Sequence, residues 1–391
     1  MATPKPKWIW QRPEWPEFRW DAHALTLPLG RARRAQGELF GVARLLDPQL
    51  DLQTRAELLI LEGLMTSAIE GEKLDPAGVR SSIAARLGLS TAGLPPPAPA
   101  VDGLVQVMLD ATQHYEAPLT LTRLNGWQAA LFPTGRSGLN EIKVGGLRGA
   151  SPMRIVSGPI GRERVHYEAP PRRRLEKEMR QFLGWFNRPP AGLDGLVRAG
   201  LAHLWFEIIH PYEDGNGRVG RAILDMALAR DEARTTRLYS MSARFMDRRD
   251  DYYSMLQGAS SGPLDVTPFL TWFLEQVTEA VRSSEAVVDA VLRKARFWMA
   301  HSRKELNERQ AKALNRMLDT GPKGFEGGMT NKKYQSLTKA SAATAQRDLA
   351  DLVVKGCLAP VGTGRAARYE LLAPRQVPSP SPISPRRSRT S

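Results

Sequence analysis

A polar, glycine-rich segment stands between two apolar helical patterns and constrains the fold more than any other feature. The segment is His210-Pro-Tyr-Glu-Asp-Gly-Asn-Gly-Arg-Val-Gly-Arg221. The pattern before it, Leu196 to Ile209, is apolar enough for a buried central helix, and a second helix is predicted to begin near Asn216. A turn between two such helices presents its polar groups at one end of a helical core.

The middle of this segment suits a ligand that carries phosphate. The main-chain N–H groups of Gly215, Asn216 and Gly217 can converge at the positive end of the following helix, a geometry that binds anions. Arg218 and Arg221 are three residues apart, so they share a helix face and can hold phosphate oxygens.

His210 and Asp214 add reactive chemistry to the segment. Asp214 is an oxygen ligand suited to Mg²⁺, which prefers one or two carboxylates together with substrate phosphates. His210 ends the preceding helix, where it can act as a general base toward a hydroxyl. Each feature alone is more often a helix cap or a turn. Structure alone gives no reason for all of them at this spacing.

The segment resembles the signature of the Fic family, His-Pro-aromatic-x-Asp-Gly-Asn-Gly-Arg-x-x-Arg, with Tyr212 where phenylalanine is commoner. The resemblance implies an enzyme, a protein adenylyltransferase that moves AMP from ATP onto a Ser, Thr or Tyr hydroxyl of a target protein or of itself. It implies that His210 is the catalytic base and that Asp214 holds Mg²⁺. The implied ATP-phosphate ligands are Gly215, Asn216, Gly217, Arg218 for the β-phosphate and Arg221 for the γ-phosphate.

An upstream segment, Thr66-Ser-Ala-Ile-Glu-Gly71, matches the inhibitory pattern of the same family, Ser/Thr-x-x-x-Glu-Gly/Asn. Alone the pattern is weak, because glycine follows many helix ends. Beside the signature, the resemblance implies that Glu70 pairs with Arg221 and keeps this arginine from the γ-phosphate. The enzyme is then expected to be self-inhibited.

Two further regions are expected to border the site. Two strand-like runs, 153–156 and 164–167, predict a β-hairpin. The resemblance implies a flap that docks the target through Met153, Arg154, Ile155 and Val156, although a plain structural hairpin explains the pattern too. Tyr252 and Tyr253 resemble residues that border the adenine, and a core role explains them equally well.

The chain as a whole is predicted to be mainly α-helical, with four parts. These are a tryptophan-rich region with the inhibitory helix (1–95), a Fic-type helical core with the hairpin flap (96–300), a winged-helix domain (301–373) and a disordered basic tail (374–391). Helices are expected at 30–47, 51–70, 76–87, 101–115, 120–132, 172–187, 194–209, 216–230, 245–257, 267–299, 308–318, 331–338 and 342–355.

The composition bears on the cellular compartment of the protein and does not indicate a further function. Of 391 residues, 42% are apolar, no run reaches the roughly 18–20 apolar residues of a membrane helix, and the N-terminus lacks the apolar region of a secretory signal. One cysteine excludes an internal disulfide and fits a reducing compartment. We therefore expect a cytoplasmic protein with no membrane partner.

The net charge of +14 is compatible with nucleotide, nucleic acid or an acidic protein, and equally with a generally basic composition. The winged-helix pattern leaves DNA binding and protein docking both open. Two alternatives to AMP transfer also remain open at this point: removal of AMP by the same site, and a DNA-binding regulator whose Fic core senses nucleotide.

Overall fold

The structure is a computed structural model that describes residues 6–44, 48–157, 162, 164–235, 237–301, 304–318, 325, 327–362 and 368–372. It divides into two compact units, Met1–Val287 and Val288–Ser391. The division falls inside the long helix α11 (Thr267–His301). The domain limits drawn from the sequence stay predictions.

Helices form most of the first unit, which confirms the predicted fold class. Those described before α11 are α1 (Ala22–Ala43), α2 (Pro48–Ile69), α3 (Pro76–Arg86), α4 (Pro99–Gln113), α5 (Leu121–Leu131), α6 (Arg172–Asn187), α7 (Gly195–Ile209), α8 (Asn216–Glu232), α9 (Met241–Asp247) and α10 (Arg249–Ser261).

Two helices differ most from the expectation. The helix predicted over 30–47 is α1, which begins at Ala22 because the Asp21 carboxylate caps it by accepting from the His23 and Ala24 N–H groups. The single helix predicted over 245–257 is the pair α9 and α10, which meet at Arg248, where φ is −122° and ψ is 40°. The Ser240 hydroxyl accepts a hydrogen bond from the Ala243 N–H at 2.9 Å and starts α9 earlier than the apolar pattern indicates.

The tryptophan-rich N-terminal segment lies against the helical core. A short 3₁₀ helix, Ile9–Gln11, precedes α1, and three tryptophans of the segment are buried. The Trp15 indole N–H donates to Glu178 of α6 at 2.7 Å, and its ring meets Trp205 of α7 edge to face. The segment is therefore part of the core of the first unit.

Two antiparallel hairpins accompany these helices. Strands β1 (Arg136–Ser137) and β2 (Asn140–Glu141) are too short to show a periodicity, so the sequence did not predict them. Strands β3 (Arg154–Ser157) and β4 (Arg164–Glu168) form the expected second hairpin, and the middle of its turn lies outside the described residues.

Helices α7 and α8 lie at the centre of the first unit. The Asp194 carboxylate caps α7 by accepting from the Leu196 N–H at 2.8 Å, and nearly every side chain of the helix is buried. The Tyr167 hydroxyl donates to the Ile208 carbonyl at 2.7 Å, which fixes β4 to the end of α7. The signature segment joins these two helices.

The second unit has the helix–helix–helix–hairpin order that the sequence predicts. Its elements after α11 are α12 (Glu308–Leu318), α13 (Asn331–Thr338), α14 (Ala342–Val354), β5 (Leu358–Val361) and β6 (Arg368–Leu371). The Asp348 carboxylate joins the three helices by accepting from Arg309 at 2.8 Å and from the Tyr334 hydroxyl at 2.9 Å. Residues 363–367, between β5 and β6, and the predicted tail 374–391 lie outside the described residues.

None of the helices in the described part of the chain combines the length and the apolar character that a membrane crossing requires.

Candidate active site

The first half of the signature segment, 210–215, forms a loop between α7 and α8, and the second half is the start of α8. His210 ends α7 in the left-handed region, with φ 48° and ψ 61°. The Asn216 side chain holds the loop by accepting from the Tyr212 N–H and donating to the Tyr212 carbonyl, both at 2.9 Å. Gly215 has φ 86°, and a Cβ there would lie 2.8 Å from the Phe132 ring. Only glycine satisfies both conditions.

His210 is a neutral imidazole at the edge of this loop. Its side chain is 18% exposed, and its Nδ1 lies 3.3 Å from the Glu207 carbonyl oxygen. Burial lowers the pKa of His210 to about 4, with the charge of Arg148 acting in the same direction. The ring is therefore unprotonated at neutral pH and can accept a proton.

The second signature arginine is held by the upstream motif. Arg221 is buried, and its Nη2 lies 2.6 Å from Glu70 Oε1. Its Nε donates to the Thr66 hydroxyl at 2.7 Å and its Nη2 to the Thr66 carbonyl at 2.9 Å. Thr66 and Glu70 thus contact one guanidinium, and the contact of Glu70 is the one that the resemblance implies.

Glu70 is an ionised partner in this pair. Burial raises its pKa, but the charge and hydrogen bond of Arg221, with the charge of Arg218, outweigh burial and lower the pKa below its ordinary value. A Cβ at Gly217 would overlap Glu70 Oε1. Gly217 therefore leaves space for this carboxylate beside the start of α8.

Arg218, the first signature arginine, also forms an ion pair with a carboxylate, and the sequence did not predict this pair. Arg218 Nη1 lies 2.9 Å from Glu72 Oε2, and its guanidinium stands 4.9 Å above the Phe132 ring. Glu72 comes directly after the Thr66–Gly71 motif and two residues after Glu70. A second acidic residue at this position was the sequence signal for the pair with Arg218.

Asp214 faces the β1–β2 hairpin. Its carboxylate accepts from the Ser137 hydroxyl and from the Gly215 N–H. Among the described residues, no three His, Cys, Asp or Glu side chains cluster as a metal site. A single carboxylate still fits Mg²⁺ that arrives with a polyphosphate, because phosphate oxygens and waters then complete the coordination. Ser137 was missed because its hairpin was missed.

The two adjacent tyrosines occupy different environments. Tyr252 is 1% exposed, stacks on Phe245 at 4.5 Å, and its hydroxyl lies 2.8 Å from His203 Nε2. Tyr253 is 40% exposed, and its hydroxyl donates to the Ile69 carbonyl at 3.3 Å. Tyr252 has the position of a core residue, whereas Tyr253 borders the end of the helix that carries Glu70.

The flap candidates lie on β3 and just before it. Ile155 and Val156 are exposed apolar side chains, and the register of the hairpin shifts between them. Arg154 forms an ion pair with Glu168 of β4 at 2.7 Å, and the Met153 carbonyl accepts from the Ala169 N–H at 3.0 Å.

Comparison with known families agrees with this site. Residues 118–228 match the Fic/DOC family, and residues 8–89 match a domain of unknown function (DUF4172). The middle of the chain, with the signature loop, is therefore a domain of the Fic/DOC family.

Two relatives carry names that state an activity. A protein named protein adenylyltransferase Fic from Nematostella vectensis is 34% identical over 119 residues, which is 30% of this chain and 24% of that protein. A probable protein adenylyltransferase from Aquifex aeolicus is 30% identical over 105 residues, 27% of this chain and 30% of that protein. The chain thus spans less than a third of the length of either relative.

Solved structures share the fold. A Fic family protein from Desulfovibrio desulfuricans G20 superposes with a TM-score of 0.50 at 22% identity, covering 90% of this chain and 98% of that one. A Fic domain containing signaling protein from Bacteroides thetaiotaomicron has a TM-score of 0.50 at 16% identity, covering 66% and 97%.

Proposed function

We propose that the chain is a protein adenylyltransferase that transfers AMP from ATP onto a Ser, Thr or Tyr hydroxyl of a target protein or of itself. One observation carries the proposal: a neutral histidine, a glycine-rich helix N-terminus and two arginines on the first turns of that helix lie within one twelve-residue segment. Binding of nucleotide alone does not need a base, whereas transfer to a hydroxyl does. The names of the two relatives agree.

The reaction assigns a task to each group. The His210 imidazole accepts the proton of the target hydroxyl as its oxygen attacks the α-phosphorus. A new P–O bond forms, the bond from the α-phosphorus to the bridging oxygen breaks, and pyrophosphate leaves. The Gly215–Gly217 N–H groups and Arg218 hold phosphate oxygens as charge develops. Asp214 is suited to hold Mg²⁺, which supplies charge neutralisation on the phosphates.

We further propose that the site is restrained in the absence of an activating change. A γ-phosphate at Arg221 competes with Glu70, whose carboxylate already pairs with the Nη2 group of this guanidinium at 2.6 Å. Glu72 occupies Arg218 in the same way at 2.9 Å. ATP can then bind only with its outer phosphates displaced from both arginines.

The exposed side chains near the site indicate which residues contact the target protein and the adenine. Ile155 and Val156 are placed on an exposed strand, which suits a target segment that adds to the hairpin as a further strand. Between the adjacent tyrosines, Tyr253 has the exposed ring, so we assign the base-stacking contact to it. Tyr252 then supports the site through His203.

Incubation of the full chain and of a Glu70→Gly variant with ATP labelled at the α-phosphate tests this function. Label on protein is the expected result. No transfer by either form, with removal of AMP from a protein already carrying it, would identify the reverse reaction. If the chain binds nucleotide but neither transfers nor removes AMP, the result would favour a regulator that senses nucleotide.

We propose duplex DNA as the partner of the second unit. Helices α13 and α14 are joined by a three-residue turn, and Ser341 caps α14 by accepting from the Thr344 N–H at 3.2 Å. In helix-turn-helix proteins the second helix enters the major groove. Arg347 lies exposed on α14. Arg347→Glu should weaken duplex binding while AMP transfer is retained.

The matched control is Arg316→Glu, on the exposed side of α12. Equal losses in both variants would mean that general charge attraction, and not α14, binds the duplex.

A further inference from the structure

Glu207 is a largely buried carboxyl group beside the proposed base, and the mechanism above gives it no task. It lies one helical turn before His210, with its side chain 12% exposed. Its Oε2 is 3.9 Å from His210 Nδ1. Its Oε1 is buried and has no hydrogen-bond partner among the described residues.

The fold makes room for this carboxyl group. A Cβ at Gly220, in the first turns of α8, would overlap Glu207 Oε1. Burying a carboxyl oxygen without a partner is unfavourable, and an apolar side chain would avoid the penalty. The buried carboxyl group therefore calls for an explanation, and its other oxygen, Oε2, lies 3.9 Å from the proposed base.

We propose that Glu207 is a positioning residue for His210, whose carboxylate stabilises the imidazolium that forms when the ring takes the proton of the target hydroxyl. This inference rests on the proposed AMP transfer for its chemistry, although not for its geometry. The proton moves from the hydroxyl to His210 Nε2, and Glu207 neither gains nor loses a proton in the step.

The orientation of the ring supports this role. The carbonyl and the carboxyl of Glu207 both lie on the Nδ1 side, at 3.3 and 3.9 Å. A proton on Nδ1 is favoured by the carbonyl, which leaves Nε2 as the acceptor for the substrate. The carboxylate then adds negative charge on the side opposite to the reacting proton, as an acidic partner does behind other catalytic histidines.

The charges around the pair predict a pH dependence. Burial raises the pKa of Glu207 to about 7, while the charge of Arg221 from α8 lowers it and that of Glu70 from α2 raises it. Tyr252 from α10 faces the same carboxyl group, and Arg148 faces His210.

Glu207 is neutral below pH 7 and ionised above it. Only the ionised form raises the proton affinity of His210, so AMP transfer should increase as the pH rises through about 7. His210 acting alone, with a pKa of about 4, would give a constant rate over that range.

The first test compares initial rates of AMP transfer from pH 5 to pH 8.5 in the full chain carrying Glu70→Gly. The charge of Glu70, which raises the pKa of Glu207, is absent from this parent, so we expect its rate to rise with an inflection below pH 7. An opposite charge at this distance shifts a pKa by about one to three units, so Glu207→Gln should be about tenfold or more slower at pH 8 and should lose the inflection.

The control is Glu213→Gln in the same loop, where the side chain accepts from the main-chain N–H groups of Lys143 and Gly149 and, within the described residues, has no contact with His210. It should keep the parental profile. A Glu207→Gln variant with the parental rate and profile would overturn the proposal.

A second measurement does not depend on activity or on a variant. The chain has six histidines, so the ring nitrogens of His210 can be followed by ¹⁵N NMR. In the unaltered chain their resonances should shift with an inflection near pH 7, although the ring itself stays unprotonated. No inflection would overturn the proposal. If no form of the chain transfers AMP but the inflection is present, the proposed function fails while the coupling of Glu207 to His210 stands.

Discussion

The Glu70 carboxylate and the Arg221 guanidinium, 151 positions apart in the sequence, lie 2.6 Å apart from Oε1 to Nη2. Arg221 is buried and also donates twice to Thr66, so its Nε and Nη2 groups are both hydrogen-bonded to the Thr66–Glu70 segment. A pair shielded from water in this way is strong. In the proposed mechanism, this pair decides whether the γ-phosphate reaches Arg221.

Removal of the inhibitory carboxylate should raise activity. Hydrogen bonds to charged groups contribute about 1.5–3 kcal/mol, so Glu70→Gly should increase AMP transfer about ten- to hundredfold. Adding Arg221→Ala should abolish the gain, because the released arginine is then missing. The measurement is AMP incorporation at equal concentrations of folded protein.

Glu57→Gly is the control for this variant, because Glu57 lies on α2, the helix that precedes Glu70, and pairs with Arg80. It should leave transfer at the starting level. If Glu70→Gly transfers no more AMP than the unaltered chain, to itself and to added targets, the self-inhibition proposal is wrong.

The second carboxylate should have a smaller effect. Glu72 is 46% exposed, and exposed ion pairs contribute about 0.2–1 kcal/mol. Glu72→Gln should therefore tighten ATP binding up to about fivefold, measured by calorimetry, and the gain should be lost when Arg218 is replaced by alanine. An unchanged ATP affinity in Glu72→Gln would show that Glu72 does not compete with the phosphates for Arg218.

Asp214 should be required for transfer. Without its carboxylate, the charge of the leaving pyrophosphate is not compensated, so Asp214→Ala should lose AMP incorporation. Excess chelator should have the same effect on the unaltered site in the Glu70→Gly background. Ser137→Ala removes only the hydroxyl that contacts Asp214 and should retain activity. Full transfer in excess chelator would contradict the assignment of Asp214.

Local patterns predicted most of the fold. The buried helix α7 and the start of α8 follow from an apolar run and from a glycine-rich turn, both of which act over a few residues. The early start of α9 was missed because the Ser240 cap, and not the apolar periodicity, sets it.

Long-range contacts account for what the sequence did not predict in the site. The pairing of Glu70 with Arg221 came from resemblance to a family and not from spacing. The contacts of Glu72, Ser137 and Glu207 depend on how α2, the β1–β2 hairpin and α8 pack, which no local pattern encodes.

The stability of the first unit should depend on pH through His203. Its Nε2 lies 2.8 Å from the Tyr252 hydroxyl, and burial lowers its pKa to about 4. The unfolded chain takes up this proton near pH 6.5, whereas the native chain does not. The stability that the neutral ring contributes is therefore present above pH 6.5 and is lost as the pH falls toward 4.

The comparison is between the unaltered chain and His203→Gln, in urea unfolding followed by tryptophan fluorescence. The difference in unfolding free energy should shrink by up to ~1.4 kcal/mol per pH unit between pH 6.5 and 4. Glu207, with its raised pKa, acts in the opposite direction in both proteins, so the difference isolates His203. A difference that stays constant with pH would contradict this prediction.

The central claim is that His210 is the base in AMP transfer, and the most direct test uses ATP labelled at the α-phosphate. The variants to compare are Glu70→Gly and the double variant Glu70→Gly with His210→Ala, at equal ATP occupancy. General-base catalysis is worth ~10²–10⁴-fold, so the double variant should incorporate label at least about a hundredfold more slowly while still binding ATP. Equal incorporation by the two variants would contradict the account.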